Sequence, residues 1–314
     1  MPRKPRLIVE GEAAVYHVMS RTALDGYVLG DAEKDHLLQL VQHYSSVYFA
    51  EILAFCIMGN HFHLVVRMHP SEKYSDIDVK RRYSIYYQDD DERDEPLPGQ
   101  IMMFRHKWEQ LSEFVKEIKQ TFSRYYNKRH NRRGFFWSDR FKSVLVEDGE
   151  TLVNCIAYVD LNPIRAGLVK RPDDYRWSSL GYHQQAVNKG NFLSLDFGLF
   201  GAERLSTAQR LAKYRQFVYE VGEIKTDKGK SVDPKIVAKE AVNQFTPTMT
   251  NRFLGRTRHF TDSGIIGSRE FVRNLWQVLR SDDDNPDKQP VRISGLKGIF
   301  SLKRLSEKET LYLK

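Results

Sequence analysis

Cysteine is nearly absent: two in 314 residues, Cys56 and Cys155, cannot build a disulfide framework. Both sit inside apolar runs, which suits reduced, buried thiols in a cytosolic protein. Long hydrophobic runs are missing as well. No stretch approaches the roughly 18 apolar residues that span a bilayer, and residues 1–6 are not followed by the hydrophobic segment of a cleavable leader. A soluble chain in the cytoplasm with no membrane partner is the expectation. No glycine-rich phosphate loop and no internal repeat occur, and no helix-turn-helix signature is recognisable. Charge, by contrast, is plentiful. The 49 Lys and Arg against 41 Asp and Glu leave +8, a basic balance suited to phosphate-rich polymers.

The length allows one sizeable core and a smaller unit. Residues 14–20 alternate as a strand, with Tyr16 and Val18 on one face, His17 and Met19 on the other, and Arg21 at its end. Asp31 is placed to cap a helix over 32–48 with Leu37, Leu38, Leu40, Val41 and Tyr44 on its apolar side. A strand over 50–58 leads through Gly59-Asn60, a sharp turn, into a strand over 61–66. This β-α-β-β order opens a ferredoxin-like split fold with an antiparallel sheet. Leu111, Phe114, Val115, Ile118 and Phe122 mark a helix over 111–128. A last strand over 141–146, a turn at 147–149 and a helix over 150–161 ended by Asn162-Pro163 follow. A short helix near 163–169 and a turn over 175–180 complete a domain of residues 1–182.

Two parts break this regularity. Residues 69–103, with acidic residues from Asp89 to Glu95 and prolines at 96 and 98, are read as an inserted surface excursion too charged to pack, with one short helix near 77–87. Beyond residue 182 the signals are mainly helical: 206–221, 234–245, and 269–279 capped by Ser268. Residues 183–281 are therefore read as a helical accessory unit, a candidate DNA-binding one, in which residues 255–258 and 263–268 connect the last two helices. Residues 282–314 form a basic tail, its final 28 residues holding seven Lys or Arg against three acidic groups.

The chemistry concentrates at His61 and His63. A strand's side-chain period of two sends both imidazoles from one face, and two nitrogen ligands aimed at one point can hold a divalent metal. The alternative is a strand carrying two ordinary histidines. A second concentration is electrostatic: residues 116–142 hold nine Lys or Arg against Glu117 and Asp139. Phe135, Phe136, Trp137 and Phe141 interleave with them, as stacking surface for bases or as core.

Several segments now occur in one order: Tyr16-His17-Val18 with Arg21; Gly59-Asn60-His61-Phe62-His63; Phe136-Trp137-Ser138-Asp139-Arg140-Phe141; Tyr158 through Asn162-Pro163-Ile164-Arg165-Ala166-Gly167; and Tyr175-Arg176-Trp177-Ser178-Ser179. Together they resemble the REP-associated tyrosine transposases, relatives of the small single-strand transposases of the histidine-hydrophobe-histidine superfamily, across most of residues 1–182. The resemblance implies a ferredoxin-like nuclease domain acting on single-stranded or hairpin DNA. His61 and His63 match the metal-binding pair and Tyr158 the nucleophile. Asn162 stands where related small transposases carry a glutamine that completes the metal shell; the shorter amide keeps an oxygen ligand but alters its reach. His17, Arg21 and Asn60 are supporting candidates, His17 toward the metal or DNA or as a structural residue, Arg21 toward phosphate.

On a helix, Tyr158 and Asn162 are four apart and share a face. Two imidazoles and an amide leave open positions, which suits Mg²⁺ or Mn²⁺ held jointly with a phosphate better than a closed zinc shell. The expected activity is a metal-dependent single-stranded DNA endonuclease and strand transferase with a covalent 5′-phosphotyrosine intermediate, working at repetitive or inverted-repeat hairpins in DNA transposition. Lys116, Lys119, Arg124, Arg129, Arg132, Arg133, Trp137 and Arg140 are the expected DNA contacts. Such a protein would be nucleoid-associated when bound, as a monomer or a homodimer. The alternatives are a noncatalytic, domesticated binder of repetitive hairpins, and a hydrolase in which water attacks.

Overall fold

Alternation along residues 14–21 and 61–68 is what builds the sheet. The computed structural model describes residues 7–9, 11–87, 95–185, 191–198, 205–225, 229–242, 263–279, 288–292 and 298–303. It begins with strand β1 (Ala14–Arg21), helix α1 (Asp31–Val47), β2 (Ala50–Ile57) and β3 (His61–Met68). β1 lies antiparallel to β3 with Arg21 opposite His61, Met19 opposite His63 and His17 opposite Val65. Period two therefore gives one face to His17, Met19, Arg21, His61 and His63, and the other to Tyr16, Val18, Phe62 and Leu64. β2 pairs with β3 on its free side. α1 starts one residue earlier than its sequence signal: Gly30 is the N-cap and Asp31 its first residue, an acidic group in the first turn where the helix dipole favours it.

Residues 69–103 depart from the expected solvated excursion. They contain α2 (Asp76–Tyr86) and most of α3 (Pro98–Trp108), and both helices pack. A capping box from Ser75 and Asp78 starts α2. Arg82 then reaches back and donates to the carbonyls of Ser46, Val47 and Tyr48, groups that the end of α1 leaves unsatisfied. Ile101, Phe104 and Trp108 are buried, with Phe49 stacked on Tyr74 at 4.0 Å. Aromatic rings carry the packing, and Arg82 ties it to the end of α1. The acidic run itself, Glu95 apart, lies outside the described residues.

α4 (Leu111–Arg129) buries Leu111, Phe114, Val115, Ile118 and Phe122 and packs beside α1, where the hydroxyls of Tyr44 and Thr121 meet at 2.9 Å. These helices cover the face that carries Phe62. β4 (Lys142–Val146) adds to β1, also antiparallel. Gly149, at φ +88° where an L side chain is strained, turns the chain into α5 (Glu150–Asp160). Residues 151–160 are all buried, because α5 lies between the histidine face and later helices. Cys56 and Cys155 are buried and free. Only Leu161 separates α5 from α6 (Asn162–Arg165), and α7 (Ser179–Gln185) follows.

The C-terminal part is helical in α8 (Thr207–Glu223), capped by Ser206, in α9 (Pro234–Ala241) and in α10 (Arg269–Leu279), capped by Ser268. It also does what its sequence signals did not indicate. Residues 263–268, expected as a helix connection, contain β5 (Ser263–Gly267), parallel to β4; β6 (Val291–Arg292) and β7 (Phe300–Lys303), from the expected basic tail, extend the same sheet. The order is β2-β3-β1-β4-β5-β7-β6. Two adjacent isoleucines between glycines show no alternation, since Ile265 and Ile266 are both fully buried. The architecture is thus a mixed α+β domain whose seven-stranded sheet draws on both ends of the chain. Residues 255–258 lie outside the described residues. No helix among the described residues is long and apolar enough to cross a membrane.

Candidate active site

The turn before β3 sets the first imidazole. Thr22 N–H donates to the Asn60 carbonyl at 2.9 Å, locking the end of β1 to the turn, and Asn60 Oδ1 lies 2.8 Å from His61 Nδ1. An amide oxygen only accepts, so His61 Nδ1 carries the proton and its Nε2 the lone pair. The second imidazole is set across the strands: His17 Nε2 and His63 Nδ1 are 2.9 Å apart, with the rings stacked at 5.1 Å. When His63 Nδ1–H is the donor, its Nε2 is likewise left as a lone pair. Each histidine of the pair thus has one nitrogen engaged by a neighbour, the arrangement that orients metal-ligating imidazoles.

Burial lowers both rings' basicity. It holds His61 down to about 4, helped by the charge of nearby Arg21, and His63 well below its ordinary value, helped by His61, His17 and Arg165. Both are neutral at physiological pH, the state a metal needs. His61 and His63 stand 5.1 Å apart between ring centroids.

α5 brings the phenol to this face. The Tyr158 ring is 5.8 Å from His63 and 5.9 Å from His17, edge-on to both, in the same chain. Asn162, one turn on, donates its amide N–H groups to the carbonyls of Tyr158 and Val159 at 3.0 and 3.2 Å, which leaves its oxygen as the end without a partner among the described residues. Its nitrogen caps the helix end while the oxygen remains a donor toward a cation. The groups that could hold a divalent cation are the two imidazoles, with the amide oxygen of Asn162 as the candidate from α6; no group of three or more His, Cys, Asp or Glu that would make a closed site occurs among the described residues.

The expected DNA contacts divide. Arg133 and Arg140 are exposed and without a partner among the described residues, whereas Lys116 pairs with Glu113 at 2.9 Å and Arg129 with Glu33 at 3.2 Å. Lys119 donates to the Asp139 carbonyl, Arg124 to Thr121 and Arg132 to Asn127. Trp137 is a correction. Its ring is 9% exposed, packs on Phe62 and Phe122, and its Nε1–H donates to the Lys119 carbonyl, so it is core, not stacking surface. The open rings nearby are Phe135, 90% exposed, and Tyr27, 84% exposed, whose ring lies over Gly59 beside the histidine turn. Neither carries a periodic signal.

Arg165 is the residue that sequence reasoning passed over. It is seven residues beyond Tyr158, two helical turns, and its guanidinium carbon sits 5.1 Å from the Tyr158 ring centroid. The C-terminal region closes over it: Lys230 N–H donates to the Arg165 carbonyl at 3.1 Å, and Gly229, at φ +100°, approaches so closely that a Cβ there would meet Arg165 at 3.0 Å.

Fold and site together define a mixed α+β protein that presents a histidine pair and a tyrosine on one sheet face. Residues 12–96 match the family model described as Transposase IS200 like. Tyr158, Asn162 and Arg165 lie beyond the matched residues, and their placement rests on the geometry above. Among solved structures the chain is similar to a REP-associated tyrosine transposase bound to a REP hairpin, at 15% identity over 63% of this chain and 92% of that one, TM-score 0.39. It is also similar to a candidate transposase from Deinococcus radiodurans R1, at 16% identity over 46% of this chain and 87% of that one, TM-score 0.26. No curated protein matches the chain.

Proposed function

We propose that the chain is a metal-dependent single-stranded DNA endonuclease and strand transferase that works through a covalent 5′-phosphotyrosine on Tyr158, at repetitive or inverted-repeat hairpins. The observation that carries this reading is the Tyr158 ring within 6 Å of His63 and His17, on the sheet face that also bears His61. The order β2-β3-β1-β4 with antiparallel pairs supports reading the first four strands as a ferredoxin-like split fold.

His61 and His63, with the oxygen of Asn162, would hold Mg²⁺ or Mn²⁺. When bound, such a cation polarises a phosphodiester and offsets charge on its oxygens. Asn60 keeps His61 in the tautomer that presents Nε2, and His17 does the same for His63 when it accepts from His63 Nδ1–H. Tyr158 supplies the nucleophile: its oxygen bonds to phosphorus as the bond to the 3′ oxygen breaks, and the proton lost by the phenol balances the one taken up by the departing 3′-hydroxyl. The ester energy is kept, so the reverse attack by a 3′-hydroxyl rejoins strands without a nucleotide cofactor. Arg21 and the exposed cations Arg133 and Arg140 supply phosphate contacts that position the strand.

Labelled single-stranded hairpins incubated with Mg²⁺ or Mn²⁺ test this. The expected outcome is a protein–DNA adduct that survives denaturation and disappears in Tyr158→Phe while DNA retention stays. An adduct undiminished in Tyr158→Phe would exclude this tyrosine, and retention without any adduct in the unaltered protein favours the noncatalytic binder. His61→Ala should reduce cleavage at limiting metal far more than retention.

A further inference from the structure

Arg165 is a cation without a counter-ion. No carboxylate pairs with its guanidinium and no group accepts its hydrogen bonds among the described residues; its Nη1 is enclosed yet unpartnered, although the residue as a whole is only half-buried. A guanidinium presents five donors and rarely goes underground unpaired, because desolvating an unmatched charge costs several kcal/mol. Asp160, a buried carboxylate five residues earlier in the chain, offers no relief. Its oxygens already accept from Ser179 Oγ at 2.7 Å, Leu180 N–H at 3.0 Å and Tyr214 Oη at 2.6 Å.

What does surround Arg165 is neutral or aromatic: the Tyr158 ring face at 5.1 Å, and His63, whose imidazole feels its charge. Burial pulls its own pKa down to about 10, with Tyr158 acting in the opposite direction, so it stays charged at neutral pH. The backbone holds it in place, through the Lys230 N–H on its carbonyl and Gly229 against its Cβ. A packed cation facing neutral groups is complementary to an anion that arrives from outside.

We propose that Arg165 is an anion anchor that binds a non-bridging oxygen of a phosphodiester beside Tyr158. The inference rests on the reading of Tyr158 as the group that meets phosphate, but it concerns binding alone. Bidentate donation suits a tetrahedral phosphate, and a low-dielectric setting strengthens it. The contact with the Tyr158 ring also holds the guanidinium beside that residue. Arg165 would thus touch the reacting phosphate and count as a catalytic residue in the transfer.

Thermal unfolding of the full chain in inorganic phosphate, against chloride at equal ionic strength, provides the test, with Arg165→Met and Arg165→Lys beside the unaltered protein. Saturating phosphate should raise the midpoint of the unaltered protein by about 2–4 °C. Arg165→Met should lose that rise while melting at or above the unaltered protein without phosphate, since an unpaired buried charge has been removed. Arg165→Lys should keep part of it. Hairpin retention in the Tyr158→Phe background, where no adduct forms, should fall about 10-fold with Arg165→Met. An identical phosphate response in Arg165→Met would overturn the proposal.

So would a large loss of midpoint in Arg165→Met combined with no phosphate response in the unaltered protein, which would make Arg165 a structural cation. If the Met variant does not fold, side-chain ¹⁵N resonances of the unaltered protein decide, the Arg165 signal being identified by its loss in Arg165→Lys. Movement of that signal with phosphate supports the anchor, and a fixed signal rejects it. Phosphate binding through Arg165 alongside an adduct that persists in Tyr158→Phe would instead reject the tyrosine reading alone.

Discussion

Asp160 and Arg165, the last residues of the successive helices α5 and α6, are treated in opposite ways. The carboxylate is completely enclosed, and each of its oxygens accepts from a named donor: Ser179, Leu180 and Tyr214. The guanidinium has an enclosed nitrogen with no acceptor among the described residues. Protein interiors satisfy buried polar groups almost without exception, so the contrast separates structure from function. A satisfied group ties elements together; here Asp160 joins α5 to α8 and to the start of α7. The unsatisfied one, beside Tyr158, is the group proposed to take a phosphate oxygen.

The largest effect expected from this contrast is on the structural side. Asp160→Ala removes the acceptor but leaves three buried donors, and should destabilise the fold by about 3 kcal/mol or more. Arg165→Met should cost little or nothing. Urea unfolding of the two variants checks the order, and equal losses would erase the distinction between them.

Much of this architecture was readable before any coordinates. The strands at 14–21 and 61–68 alternate because one face is packed under helices α1 and α4 and the other carries the histidines. The stripes in α1 and α4 follow 3.6 residues per turn because only one side is buried. His61 and His63 were legible for the same reason: period two is local. Arg165 was not, because its isolation is a property of the tertiary surroundings and a lone arginine after Asn162-Pro163 looks like any exposed cation. His17 gained its meaning only from register, which sets it diagonally across from His63. Ser263–Gly267 escaped because a short strand buried on both faces has no alternation to detect. Phe104 and Trp108 escaped because charge nearby masked a packed helix.

A second satisfied network sharpens the comparison through pH. Glu51 lies on β2, where burial favours the neutral acid, but hydrogen bonds from His69, Ser194 and Arg67, and the Arg67 charge, win and hold its pKa at about 2. A carboxylate depressed below its ordinary 4.5 contributes stability that is fully present above about pH 4.5 and is lost as pH falls toward 2. The contribution is at most about 3 kcal/mol, from the size of the shift. Urea midpoints measured from pH 5 to pH 2.5 should fall more steeply for the unaltered protein than for Glu51→Gln. Parallel slopes would show that the network is not held by the ionised carboxylate.

The smallest effect on stability, and the one that most directly separates surface from core, concerns two neighbouring aromatic residues. Trp137 fills the space between Phe62 and Phe122, while Phe135, two residues earlier, leaves 90% of its surface in solvent. Truncating Trp137 should open a cavity and cost about 3 kcal/mol. Truncating Phe135 should change stability by no more than about 0.5 kcal/mol, since its ring is almost fully exposed among the described residues. On DNA the order should reverse. An exposed ring beside Arg133 is a platform for an unpaired base, and stacking of that kind is worth about 1–3 kcal/mol, so Phe135→Ala should weaken retention of a single-stranded hairpin by about 5-fold or more. Retention unchanged in Phe135→Ala, with Arg133→Ala still lowering it, would leave this surface purely electrostatic. The strand would then be held along its phosphates alone, and base identity would have to be read elsewhere.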